Sequence, residues 1–65
     1  MPKFKKGDKV RIRLDTTSPD RGRIGIVDEK PIKDSYGFWY IVKFGSRGFT
    51  RKYRFSEQDL ESVKG

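Results

Sequence analysis

Seven consecutive residues, Phe38-Trp39-Tyr40-Ile41-Val42-Lys43-Phe44, constrain this chain more than any other stretch. All but Lys43 are aromatic or β-branched, the side chains that best fit a pleated, mostly buried surface. Alternation along a strand puts Phe38, Tyr40, Val42 and Phe44 on one face and Trp39, Ile41 and Lys43 on the other. A second stretch, residues 9–14, alternates charged and apolar positions without a fault. Val10, Ile12 and Leu14 share one face there, and Lys9, Arg11 and Arg13 share the other, as in a half-buried strand.

The remaining elements follow from turn residues. Gly7-Asp8 marks a turn before the first strand, and residues 15–22 collect Asp, Thr, Ser, Pro and Gly into an exposed loop. Residues 23–30 form a second strand with Ile24, Ile26 and Val27 as apolar content. The adjacent Ile26 and Val27 break alternation beside Gly25, which suggests a bulge or sharp bend. Pro31 ends that strand, and residues 33–37 read as a second loop. Gly45-Ser46-Arg47-Gly48 is a hairpin connection, its glycines suited to positive φ. Residues 49–55 return with Phe49, Arg51, Tyr53 and Phe55 on one face and Thr50, Lys52 and Arg54 on the other. Ser56-Glu57-Gln58-Asp59 predicts a single helical turn with Ser56 as its N-cap, and Leu60 and Val63 then close the core through a short last strand.

Sixty-five residues allow one domain, residues 1–65, with flexible ends at about 1–6 and 64–65. A chain this short buries only about 60% of its unfolded surface. Its nine aromatic residues, each able to bury roughly 150–250 Å², are therefore its main stabilising resource. The absence of alanine argues against a helical bundle. The expected fold is all-β: a small, strongly bent, five-stranded barrel with a short helical turn before the last strand.

Gly7-Asp8-Lys9-Val10-Arg11-Ile12 resembles the opening strand of SH3-like barrels of the KOW and Tudor-like kind. Ile24-Gly25-Ile26-Val27 looks like their second strand, and Tyr40-Ile41-Val42-Lys43-Phe44 like their third. Phe55 followed by Asp59-Leu60-Glu61 is similar to their closing turn and strand. The same order of elements resembles the SH3-like accessory subunits of ferredoxin-linked complexes, of the photosystem I PsaE type. The second resemblance implies a docking subunit that receives an acidic, ferredoxin-like protein.

Catalysis lacks its usual parts. Cysteine and histidine are both absent, so no thiol nucleophile, imidazole base, disulfide or Cys/His zinc site can form. The serines have no imidazole to activate them, and Asp28 and Glu29 point to opposite faces of a strand. Glu57, Asp59 and Glu61 read as a solvated acidic edge rather than a metal site. Neither Gly45-Ser46-Arg47-Gly48 nor Gly22-Arg23-Ile24-Gly25 has the lysine or the strand-to-helix context of a phosphate loop. The expectation is a non-catalytic binder with no cofactor. No apolar run reaches the roughly 18 residues of a membrane span, and a cytoplasmic location is expected.

Charge points to the partner class. The chain carries 16 Lys and Arg against 9 Asp and Glu, for a net charge of +7. From residue 43 to residue 55 the cations Lys43, Arg47, Arg51, Lys52 and Arg54 meet no acidic residue. Residues 1–13 add Lys9, Arg11 and Arg13 among others, against Asp8 alone. If the first and fourth strands share a side, these cations form one positive surface, suited to DNA or RNA phosphates without sequence preference, or alternatively to an acidic protein. Phe38, Tyr40, Phe44, Phe49 and Phe55 are expected in the core. Trp39, Tyr36 and Tyr53 are the candidates for exposed stacking, and Arg51 is expected at a rim with its stem packed.

Overall fold

In the computed structural model, which describes residues 1–46 and 48–63, the chain forms six strands. These are β1 (Lys9–Ile12), β2 (Ile24–Val27), β3 (Ile32–Asp34), β4 (Gly37–Ser46), β5 (Phe49–Ser56) and β6 (Leu60–Ser62). A single 3₁₀ turn, Glu57–Asp59, precedes β6. All pairings are antiparallel. The aromatic run occupies β4, which organises the sheet. β5 pairs along one edge of β4 from Trp39 to Ser46, while β3 and β2 share the other edge at different heights. β1 lies between β2 and β6.

Two features of the expected barrel need correction. There are six strands rather than five, and the sheet is open. β5 ends one side and β6 the other, with no ladder between them among the described residues. β6 has only three residues, all paired with β1. Side chains bridge the gap instead, because Phe55 of β5 and Leu60 of β6 both belong to the core. The added strand is β3, which lies partly in the expected second loop. Asp34 faces Gly37 in the ladder, so Ser35 and Tyr36 alone make the turn. The Asp34 carboxylate accepts the Tyr36 amide at 2.8 Å, and Gly37 takes φ 124°. An aspartate and a glycine thus supply the local bond and the positive φ that close a tight hairpin.

The core consists of Phe4, Val10, Ile12, Val27, Tyr40, Val42, Phe44, Phe55 and Leu60, with Phe38 packed against it. Tyr40 is fully buried. Its hydroxyl donates to Glu57 Oε2 at 2.6 Å and accepts the Phe4 amide at 3.4 Å. The Lys3 amide also donates to Glu57 Oε2, at 3.1 Å. The Phe4 ring meets Tyr40 edge-on at 5.3 Å. One tyrosine thereby ties the N-terminal segment, β4 and the 3₁₀ turn together, and a core residue lies inside the end expected to be flexible. Burial, aided by the bond to Glu57, pushes the Tyr40 hydroxyl up to about 12. The same bond holds the Glu57 carboxyl below its ordinary value.

Three local expectations change. Leu14 is 67% exposed, because β1 ends at Ile12 and residues 13–22 leave the sheet as a loop. The Ile12 carbonyl accepts the Gly22 amide at 2.7 Å and the Asp59 carbonyl accepts the Arg13 amide at 2.9 Å, so the chain turns away before Leu14 reaches the core. Gly25 makes no bulge, since Lys9, Val10 and Arg11 pair in unbroken register with Ile26, Gly25 and Ile24. Gly25 is required by close approach instead. A Cβ there would lie 2.6 Å from Val42 Cγ1 and 2.7 Å from the Lys43 carbonyl oxygen. The third change, the exposure of Phe49, bears on function. The turn before β6 forms where expected, although the Ser56 hydroxyl donates to the Asp59 carboxylate at 3.3 Å rather than capping the backbone.

Candidate functional site

β4 is ten residues long, but β2 pairs only with its Val42 and Lys43. Beyond that point β4 and β5 pair with each other alone among the described residues: Phe44 with Arg51, Gly45 with Thr50, and Ser46 with Phe49. The hairpin therefore runs past the body of the sheet, and its far half has no third strand to cover it. This length mismatch explains why Phe49 is 74% exposed while Phe55, on the same face of the same strand, is buried. Phe49 was expected in the core; the alternation placed it on the correct face, but that face has lost its cover.

The uncovered inner face carries a compact group of aromatic and cationic side chains. Arg23, entering β2, stacks its guanidinium over the Phe44 ring at 4.7 Å and is held by Asp20 at 3.1 Å. Phe44 also meets Phe55 edge-on at 6.1 Å and Tyr53 at 6.2 Å. Arg23, Phe44, Phe49 and Arg51 line an open cleft of about 260 Å³. Its floor belongs to the core, whereas Phe49 and Arg51 stand exposed at its sides. The ion pair to Asp20 engages only Nη1 of Arg23 among the described residues, and the cation–π contact consumes no donor, so the remaining guanidinium N–H groups of Arg23 are left for an anion.

The expected site residues divide between two faces and the loops. Lys9, Arg11, Lys43, Lys52, Arg54 and Trp39 alternate onto the outer face, opposite the core side chains of their strands. β2 and β4 lie between β1 and β5, so Lys9 and Arg11 are separated from Lys52 and Arg54 by two strands. Ion pairs further divide this face. Lys43 and Lys52 oppose each other across β4 and β5, an arrangement that like charges disfavour. Asp28 lies against both, at 3.5 and 2.8 Å. The bond from Lys52 holds the Asp28 carboxyl below its ordinary value and the Lys52 ammonium above its own. Arg11 pairs with Glu61 at 2.6 Å across β1 and β6. Arg13, outside β1, forks onto Asp15 at 3.0 and 2.8 Å, which raises the guanidinium and lowers the carboxyl.

Arg54 differs from these. Among the described residues it has no ion pair, and its guanidinium lies 5.1 Å from the half-buried Trp39 ring. Lys9 and Arg51 are likewise outside the ion pairs of the described residues. Arg51 and Tyr53 lie on the inner face with Phe49, and Arg47 falls outside the described residues. Tyr36 is 90% exposed at the β3–β4 turn. Glu57, Asp59 and Glu61 do not converge: they turn to Tyr40, Ser56 and Arg11 respectively.

Sequence reasoning missed Arg23, Phe44 and Phe49 as site residues. A usable signal was present for Phe49, which follows Gly48 at the end of a hairpin longer than its neighbouring strands. Nothing in the local pattern of Arg23 indicates that its guanidinium covers Phe44, because that contact joins residues 21 positions apart (44 minus 23). Comparison with known proteins finds no family model that matches the chain, and no curated protein or solved structure with significant similarity to it.

Proposed function

We propose that this chain is a non-catalytic module that binds nucleic acid through its long β4–β5 hairpin. The observation that carries the reading is the pairing of arginines with aromatic rings on both faces of one acid-free hairpin. Arg54 covers Trp39 outside, and Arg23 and Arg51 flank Phe44 and the exposed Phe49 inside. Cations attract the phosphate backbone and rings offer surfaces on which bases stack. The order of the elements, with a 3₁₀ turn returning the last strand to β1, supports the likeness to small SH3-like binding modules. An acidic protein would meet the same cations, but the exposed ring of Phe49 favours a partner with planar faces.

Binding of a labelled oligonucleotide, followed by fluorescence anisotropy over a series of salt concentrations, tests this reading. The expected result is an affinity that falls steadily as salt rises, since each phosphate contact releases counterions. Absence of binding at low salt would overturn it.

A further inference from the structure

We infer that the inner cleft of the hairpin takes an unpaired nucleotide, its base stacked on Phe49 and its phosphate held by Arg51 and Arg23. This rests on the nucleic-acid reading and assigns it a strand preference. Phe49 is 74% exposed and pairs with Ser46 beyond the part of β4 that β2 reaches, so most of its ring is open to a ligand. Arg51 lies two residues on, on the same face, and Arg23 closes the cleft from the β2 side. The cleft holds about 260 Å³, which is less than the roughly 300–1,000 Å³ of a small-molecule pocket. It suits one flat ring with the rest of a strand outside. In a duplex both faces of each base are already stacked on neighbours, and only the edges are offered in the grooves. An unpaired base instead presents a free face to an aromatic side chain.

Two other clefts do not compete for this ligand. One of about 450 Å³ beside Tyr36 and Trp39 includes the carboxylates Glu57 and Asp59, which repel phosphate. Another of about 370 Å³ beside Ile32 and Ile41 mixes Lys6 and Lys30 with Glu29 and offers no aromatic ring. Arginine and an uncovered ring meet only at the inner cleft among these three.

Anisotropy titrations with three short labelled probes of equal length test the inference: a single strand, the same strand without bases, and the duplex. The wild-type chain and Phe49→Ala are compared at low and at moderate salt, with their amide spectra recorded to verify the fold. The expected result is that the single strand binds about tenfold more tightly than the abasic strand, and that Phe49→Ala abolishes this difference. The duplex is expected to bind no more tightly than the abasic strand. Equal, salt-sensitive binding of all three probes, unchanged by Phe49→Ala, would overturn the inference and leave phosphate-led binding intact. A complete lack of binding by every probe at low salt would overturn the nucleic-acid reading itself.

Discussion

The two halves of the β4–β5 hairpin share strands, alternation and composition, yet they have different fates. In the near half, Tyr40 and Phe55 pair across the ladder and both are buried, because β2, Phe4 and Leu60 pack over them. In the far half, Ser46 and Phe49 pair in the same way, and the phenylalanine is left in solvent. Phe44 and Arg51 stand at the boundary, one buried and one exposed. An inward-facing position is therefore a core position only where another element covers it. Where cover stops, the same pattern of rings and cations becomes a surface suited to a ligand.

The sharpest test of this contrast removes one ring from each half. Tyr40→Ala should cost about 3–5 kcal/mol, as for a fully buried aromatic, measured as the change in urea unfolding free energy. A value near that of a surface substitution would break the division between halves. Gly25→Ala comes next, at about 1–3 kcal/mol for overpacking. The added methyl meets the Lys43 carbonyl, and a backbone oxygen cannot swing aside as a side chain can. Thermal unfolding of this variant reads how firmly β2 presses on the boundary between the halves.

Tyr40→Phe isolates the hydroxyl from the ring and should cost about 1 kcal/mol. It also has a pH signature. The folded value of about 12 lies above the ordinary 10.0, so the folded state holds the phenolic proton more tightly than the unfolded chain. That contribution is complete below pH 10 and is lost as pH rises towards 12. Wild type should accordingly lose more stability than Tyr40→Phe over this interval, and parallel curves would contradict the burial of the Tyr40 hydroxyl beside Glu57.

The smallest stability effect belongs to the far half. Phe49→Ala should change unfolding free energy by no more than about 0.5 kcal/mol. Arg51 and Lys43 extend the comparison to charge. Arg51→Ala should reduce the salt slope of oligonucleotide binding by about one phosphate contact, whereas Lys43→Ala should leave it nearly unchanged because Asp28 already faces that ammonium. A slope lowered by Lys43→Ala and unchanged by Arg51→Ala would place the phosphate contact on the outer face instead.

The near half was legible in sequence because short-range alternation and β-branched residues determine which way a side chain points. Val10, Ile12, Tyr40, Val42 and Phe55 all occupy the core that alternation assigns them. The 3₁₀ turn was legible from its serine and acidic residues, and Leu60 from its place just beyond. Cover was not legible. Whether Phe49 and Leu14 are buried depends on where β1 and β2 stop, and those ends are set by loop bonds between distant residues. The charged surface has the same limit: Lys43, Lys52 and Arg11 look equally available in the sequence until the fold brings Asp28 and Glu61 against them. β3 escaped because a three-residue strand carries too little pattern to separate it from the loop beside it.

The most direct test of the central claim is a residue-by-residue amide shift map during titration with a short single-stranded oligonucleotide at low and moderate salt. The account predicts salt-sensitive shifts concentrated on Arg23, Phe44 and residues 48–54, with weaker responses at Arg11 and Lys43. No shifts at low salt, or shifts confined to β1 and β6, would contradict it.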